Sequence, residues 1–342
     1  MLNYIIWNVN PAIIDGFHIR WYGLFFGIGF FLSYLGLTKI FKNEGLKQND
    51  ADNLTFGTFI FLIIGLRLGH CLFYEPEYYL SHPLEILKIW EGGLASHGGA
   101  IGLICAFLWF SHKLKKSFWW VISRAAVVIP ITAFFVRMGN LMNSEIYGIP
   151  TNLPWGFVFV RDAVISPDAD KISEILIQAG LVSSNLSSSL HSFLVGILPA
   201  NVDAVSFESL YNTLLKYKFI DQSQFSQVID SFVKAGMLTA NHPTQIYEAL
   251  TYLLTGVILV GYYQLSYKYK KPISDFVILA IALLMIFGSR FCFEFIKNTQ
   301  VDFEKAMTLN MGQILSIPFI ICGVAFVFVA IYQHKKQKQT NV

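Results

Sequence analysis

Charge is what this chain has least of. Only 14% of its 342 residues are Asp, Glu, Lys or Arg, against roughly 25% in a soluble domain. A surface that poor in charge excludes an ordinary water-soluble globule. Cysteine is scarce as well: Cys71, Cys105, Cys292 and Cys322 show neither metal-ligand spacing nor a disulfide framework. All four fall in apolar runs and read as small buried packing residues. Residues 1–17 lack a basic n-region, so no cleavable leader is expected. An internal repeat, a low-complexity tail and an acidic metal-binding motif are missing too, and no cofactor is expected. The net charge of +3 calls for no nucleic-acid partner.

What is present is apolar. Hydrophobic residues make up 54% of the chain and aromatics 16%, with a mean hydropathy of +0.52. A helix needs about 20 apolar residues to cross the hydrocarbon. Runs at about 18–40, 56–74, 95–112, 119–140, 246–265, 273–296 and 311–332 predict seven such helices. Basic residues orient them. With the amino terminus outside, the inner segments hold Lys39, Lys42 and Lys47; Lys113, Lys115 and Lys116; Lys268, Lys270 and Lys271; and Lys335, Lys336 and Lys338. The outer segments hold Arg20, Lys88, Lys297 and Lys305. That bias matches the positive-inside rule. The expected fold is all-α, a polytopic membrane protein with its amino terminus out and its basic tail in.

Between about 161 and 241 the chain turns polar and serine-rich. Amphipathic stretches at about 169–180, 205–219 and 222–235 predict a small helical insertion on the outer face. The last begins after Asp221 and ends at Gly236, with Phe225, Val228, Ile229, Phe232 and Val233 at helical spacing. The chain therefore divides into spans one to four (1–160), the insertion (161–241), and spans five to seven with the tail (242–342). The insertion reads equally as a partner-binding or substrate-guiding lid or as a solvated elaboration.

Polar residues inside apolar runs are costly and mark functional sites by default. The densest cluster is Val136-Arg137-Met138-Gly139-Asn140-Leu141-Met142-Asn143-Ser144-Glu145-Ile146-Tyr147-Gly148, at the end of the fourth span. Trp21-Tyr22-Gly23 lies near the outer end of the first span, Glu91-Gly92-Gly93 and Ser96-His97-Gly98-Gly99 at the third, and His242 to Glu248 at the fifth. Arg290 and Glu294 lie near the end of the sixth, and Met311-Gly312-Gln313 opens the seventh. All fall on the outer side of a topology drawn from lysines alone. Arg137 and Arg290 offer guanidinium forks suited to a phosphate diester. Gly98 and Gly99 at a helix amino terminus permit close backbone approach where the dipole favours an anion. His97 is the natural proton acceptor. Arg290 and Glu294 share a helix face, so they can pair, or Glu294 can serve acid/base work. Structural roles remain open for Arg137, Glu145, Arg290, Asn140, Asn143, Tyr22 and Tyr247. Arg67, deep in the second span, could neutralise a carboxylate or touch lipid phosphate, with a structural role slightly favoured; His70 and His112 read as structural.

At these residues the chain resembles the bacterial prolipoprotein diacylglyceryl transferases. The resemblance rests on Trp21-Tyr22-Gly23-Leu24, Gly92 to Gly99, Arg137-x-Gly139-Asn140-x-x-Asn143-x-Glu145-x-x-Gly148, His242-Pro243-x-Gln245-x-Tyr247-Glu248, Arg290-x-x-x-Glu294 and Met311-Gly312-Gln313-x-Leu315-Ser316. It implies a seven-span enzyme of the cytoplasmic (inner) membrane that works at the outer face. That enzyme would move diacylglyceryl from phosphatidylglycerol to the lipobox cysteine of a preprolipoprotein signal peptide and release glycerol phosphate. The same resemblance implies phosphate contacts for Arg137 and Arg290 and proton handling for His97. It makes Tyr22, Asn140, Glu145, Gly148 and Glu294 important site residues. Departures are Val136 and Leu141 for glycine and phenylalanine, Ile286 for tyrosine, Lys297 for arginine, and an insertion larger than expected. Another phospholipid head-group enzyme stays open as an alternative. A transporter is disfavoured, because transporters place midplane sites between repeated halves.

Overall fold

The computed structural model of the chain describes residues 4–14, 16, 19–88, 93, 95–199, 202–299, 304 and 307–340. Glu91 and Gly92 of the third cluster, and Lys305, lie outside these residues. The architecture is helical. Helices α1 (Trp21–Asn43), α2 (Gln48–Phe73), a short α3 (Pro76–Ser81), α4 (Ser96–Leu114) and α5 (Phe118–Met142) come first. Four shorter ones follow: α6 (Ala169–Gln178), α7 (Ser187–Ile197), α8 (Phe207–Lys216) and α9 (Phe225–Lys234). The series ends with α10 (Thr244–Lys268), α11 (Asp275–Phe293) and α12 (Met311–Thr340).

Among the described residues, six helices are long and apolar enough to cross a membrane: α1, α2, α5, α10, α11 with the turn after it, and α12. The sequence predicts seven. The remaining long helix, α4, occupies the expected third position but starts at Ser96-His97 and ends through His112-Lys113. These polar ends shorten its apolar stretch. The expectation of buried cysteines also needs correction. Cys71 is buried, whereas Cys105, Cys292 and Cys322 are exposed on the protein surface. A small residue on a spanning helix is free to face outward, because lipid is as apolar as the interior.

The described residues form two compact units, one of residues 27–135, 250–289 and 315–342, the other of 1–26, 136–249 and 290–314. The first unit is built from long helices around Phe41, Leu54, Phe110, Val121 and Leu259. Its α2 and α4 approach through glycines. A methyl group on Gly98 would overlap the Gly65 carbonyl and the Gly69 backbone, and one on Gly102 would overlap the Phe61 carbonyl. Small residues at such a seam let two backbones meet. Helices α1 and α5 are tied by Ser33 Oγ donating to the Val128 carbonyl at 2.9 Å and lying 2.8 Å from Thr132 Oγ1. Arg124, 5% exposed at its side chain, pairs with Glu44 at 2.8 Å and with Asp275.

The second unit carries a core of its own, made by Val158, Ile172, Leu176, Leu190, Leu194, Phe207, Leu214, Ile229 and Phe232. Helix α9 fits the sequence reading: Asp221 and Gln224 exchange hydrogen bonds before it, and Gly236 follows it at φ +69. Two short strand pairs escape that reading. Strand β1 (Ile5–Trp7) runs parallel to β2 (Phe157–Phe159), and β3 (Val164–Ile165) runs antiparallel to β4 (Val205–Ser206).

Candidate active site

One chain of alternating charges runs through the second unit. Arg137, one and a half turns before the end of α5, has its Nε 2.7 Å from Glu248 Oε2. Its Nη1 donates to Asn140 Oδ1 at 3.2 Å, and Asn140 Nδ2 donates to Glu145 Oε1 at 2.8 Å. Asn143 Nδ2 reaches the same carboxylate oxygen at 3.2 Å. Glu248, whose side chain is fully buried (0% exposed), accepts from Lys297 Nζ at 2.9 Å through its other oxygen. Lys297 Nζ also donates to Glu294 Oε1 at 3.0 Å. Glu294 in turn lies 3.7 Å from Arg290 Nε and accepts from Asn310 Nδ2 at 3.1 Å. Arg137 and Arg290 are thereby joined through Glu248, Lys297 and Glu294. Buried charges persist only when paired, and each charge of this relay stands within 3.7 Å of an opposite one, although Glu248 Oε2 and Arg290 Nε make no hydrogen bond among the described residues.

The loop that carries Glu145 is strained and held in place. Ser144 and Ile146 have φ of 56 and 60. A β-branched residue in that region is an outlier costing roughly 1–2 kcal/mol, so its surroundings must impose it. They do so from the first turn of α10. Gln245 Nε2 donates to the Glu145 carbonyl at 2.7 Å and Thr244 Oγ1 to the Ile146 carbonyl at 2.8 Å. Gly148 N donates to the His242 carbonyl at 2.8 Å, and Ile149 N to the Ile296 carbonyl at 2.9 Å. A side chain on Gly148 would overlap the Ile296 carbonyl and His242. Gly148 is therefore the point where this loop meets the segment that carries Lys297.

Three further contacts shape the site. Gly139 faces the ring and backbone of Tyr22, with no room for a methyl group, which sets Tyr22 beside the Arg137–Asn140 turn. Gly312 lies against the Glu294 carboxylate. Tyr147 stacks on Phe159 at 4.6 Å and donates to Asp162 Oδ2 at 2.6 Å. Burial, followed by that hydrogen bond and the Asp162 charge, pushes the Tyr147 phenol well above its usual value.

The second unit thus brings together Tyr22, Arg137, Asn140, Glu145, Gly148, Arg290 and Glu294. His97, Gly98 and Gly99 belong to the first unit. His97 occupies the first turn of α4, exposed, its ring edge-on to Phe73 at 5.2 Å and tilted against Tyr74 at 5.7 Å. Gly98 serves the α2–α4 seam, and Gly99 sits against Leu66. Sequence reasoning assigns no role to Glu248 or Asn310. The signal for Asn310 is Asn-x-x-Gln before an apolar run: Gln313 N donates to Asn310 Oδ1 at 2.9 Å and Asn310 N to Gln313 Oε1 at 3.1 Å, a reciprocal cap on α12. Among the described residues no group of His, Cys, Asp and Glu gathers to hold a metal.

Several helices long and apolar enough to cross a membrane, with a buried ionic relay beside them in the chain, fit a polytopic membrane protein. The comparisons say which. The chain belongs to the prolipoprotein diacylglyceryl transferase family, whose model matches residues 11–329. A phosphatidylglycerol–prolipoprotein diacylglyceryl transferase of Chloroherpeton thalassium is 31% identical over 340 residues, 98% of each chain. One of Bacteroides fragilis is 33% identical over 338 residues, 95% of this chain and 94% of that one. One of Porphyromonas gingivalis is 34% identical over 345 residues, 98% of each.

Proposed function

We propose that this chain transfers a diacylglyceryl group from phosphatidylglycerol to the cysteine thiol of a prolipoprotein. The reading rests on family membership and on relatives that carry this activity in their names. The acceptor is the lipobox cysteine in a preprolipoprotein signal peptide. Its thiolate attacks the glycerol carbon bonded to phosphate oxygen. A carbon–sulfur bond forms, the carbon–oxygen bond breaks, and glycerol phosphate leaves with the electron pair and later a proton.

Negative charge grows on the departing phosphate, so fixed cations aimed at it stabilise the transition state more than the ground state. Arg290 is the observation that carries this assignment. Its nearest carboxylate stands at 3.7 Å, beyond hydrogen-bond reach, its Nε is buried without a hydrogen-bond partner among the described residues, and 36% of its side chain is exposed. Arg137 acts with it on the phosphate. Lys297, lying between two carboxylates, holds Glu248 and Glu294 and does not itself reach for phosphate. Asn140 and Glu145 orient Arg137, Glu294 faces Arg290, and Tyr22 and Gly148 complete the site. His97, with Gly98 and Gly99 after it at the start of α4, handles the thiol proton. The chain crosses the inner membrane seven times, α4 included, with its amino terminus out, residues 161–241 on the outer face and the site opening there.

Purified protein in detergent, given phosphatidylglycerol and a lipobox peptide, tests the reading by mass spectrometry. The peptide gains the mass of a diacylglyceryl group, and Arg137→Ala protein yields none. Unmodified peptide from folded protein across several donor phospholipids overturns the reading.

A further inference from the structure

Arg67 belongs to no part of the proposed reaction, yet it is 3% exposed inside a membrane-spanning helix. Its guanidinium is bound to backbone. Nε donates to the Ile86 carbonyl at 2.9 Å, Nη2 to the Glu85 carbonyl at 2.6 Å and Nη1 to the Gly93 carbonyl at 3.4 Å. The Tyr79 ring lies 5.0 Å below the guanidinium carbon. Helix α2 continues six residues beyond Arg67, to Phe73, which is about 9 Å at 1.5 Å per residue. The chain leaving α2 therefore turns back and lies alongside the last turns of the span. Its return is confirmed where Ala95 N donates to the Leu66 carbonyl at 2.9 Å. Most of this returning segment is short helix α3 and a 3-10 turn, Pro83–Leu87.

Non-helical backbone at membrane depth is tolerated only where its polar groups are satisfied within the protein. Arg67 provides that for three carbonyls. Meanwhile Leu80, Leu84 and Leu87 are 72%, 77% and 70% exposed. The last turns of α2 expose apolar residues too, Leu68, Leu72 and Phe73, with Tyr74 just after them. Tyr78 and Tyr79 are of the interfacial type, and the charged pair Glu85–Lys88 is closed at 2.7 Å. Water does not suit three bare leucines on so short a segment; acyl chains around a spanning α2 would.

We propose that residues 76–88 form a re-entrant lip in the bilayer, with Leu80, Leu84 and Leu87 among acyl chains and Arg67 as the positioning residue that holds it there. The lip leads directly into the segment that bears His97. The inference rests on the chain spanning a membrane and not on the transfer reaction, so either can fail without the other.

The test places an NBD fluorophore on Leu84→Cys, with Cys71, Cys105, Cys292 and Cys322 changed to alanine, in nanodiscs of phosphatidylglycerol and phosphatidylcholine. The lip predicts blue-shifted emission, strong quenching by lipids spin-labelled on the acyl chain, and little quenching by aqueous iodide. Iodide quenching with no effect of the labelled lipids overturns it. Arg67→Lys keeps a charge but loses the fork, so most of the lipid quenching should be lost, with the thermal midpoint monitored in parallel as the folding control. Unchanged quenching in folded Arg67→Lys protein refutes the clamp.

Discussion

Arg137 Nε lies 2.7 Å from Glu248 Oε2, and the Glu248 side chain is fully buried. Arg137, proposed to act with Arg290 on the phosphate, is thus oriented by a carboxylate that water does not reach. Breaking one side of a buried pair leaves an uncompensated charge, costing about 3–5 kcal/mol. Glu248→Ala, which strands both Arg137 and Lys297, should lower the thermal midpoint sharply and abolish transfer. Lys297→Met should do the same by leaving Glu248 and Glu294 facing each other, whereas Lys297→Arg should retain most of the stability. A midpoint for Glu248→Ala equal to that of the parent contradicts the relay.

Gly148→Ala tests the joint between the strained loop and the Lys297 segment. The overlap is with the backbone carbonyl of Ile296, which cannot swing aside as a side chain would. Loss of folded protein or of activity is expected. Gly23→Ala belongs to the same set of motifs but meets nothing within 4 Å. It should leave expression and thermal midpoint unchanged or slightly higher.

Arg124, in the first unit, provides a second buried ionic cluster. It pairs with Glu44 and Asp275, and its guanidinium carbon lies 5.1 Å over the Trp120 ring. Arg124→Ala should cost about 3–5 kcal/mol by the same rule. Below its lowered thermal midpoint, the KM for phosphatidylglycerol should stay that of the parent. A raised KM in fully folded protein would connect Arg124 to the substrate.

The Tyr147–Asp162 bond predicts a response to alkali. Burial and the carboxylate raise the Tyr147 phenol above its ordinary value of 10.0. A group raised on folding gives stability that is complete below the ordinary value and lost as pH climbs from there toward the folded one. Thermal midpoints should hold up to about pH 10 and fall above it, more steeply in the parent than in Tyr147→Phe. Parallel pH curves for the two proteins would remove Tyr147 from this account.

The parts of this molecule that the sequence reveals are those written locally. Arg137, Arg290 and Glu294 stand out because a charge in an apolar run is visible without a partner. Helix α9 is legible from Asp221, Gly236 and a regular apolar stripe. Glu248 is equally charged, but its meaning depends on Arg137 and on Lys297, which is 49 residues away, and no periodicity encodes that pairing. None of the amphipathic stretches legible in the sequence covers the serine run from Ser183, and serine competes for backbone hydrogen bonds. Helix α7 begins at Ser187 all the same, secured by the burial of Leu190 and Leu194. Strand pairs of two or three residues are too short to show alternation. Gly98 announces a close approach, but whether to an anion or to the Gly65–Gly69 seam depends on a partner helix that the motif does not name.

The central claim is that Arg290, the least engaged cation of the relay, acts on the phosphate as charge develops. Steady-state kinetics of Arg290→Ala and Arg290→Lys, with phosphatidylglycerol varied against a saturating lipobox peptide, tests it most directly. Loss of an interaction made only in the transition state lowers kcat and kcat/KM together, by about 100-fold or more for a donor of this kind. The account predicts that loss for Arg290→Ala, with partial recovery in Arg290→Lys and an unchanged thermal midpoint. Folded Arg290→Ala protein that turns over within a few-fold of the parent rate would contradict it.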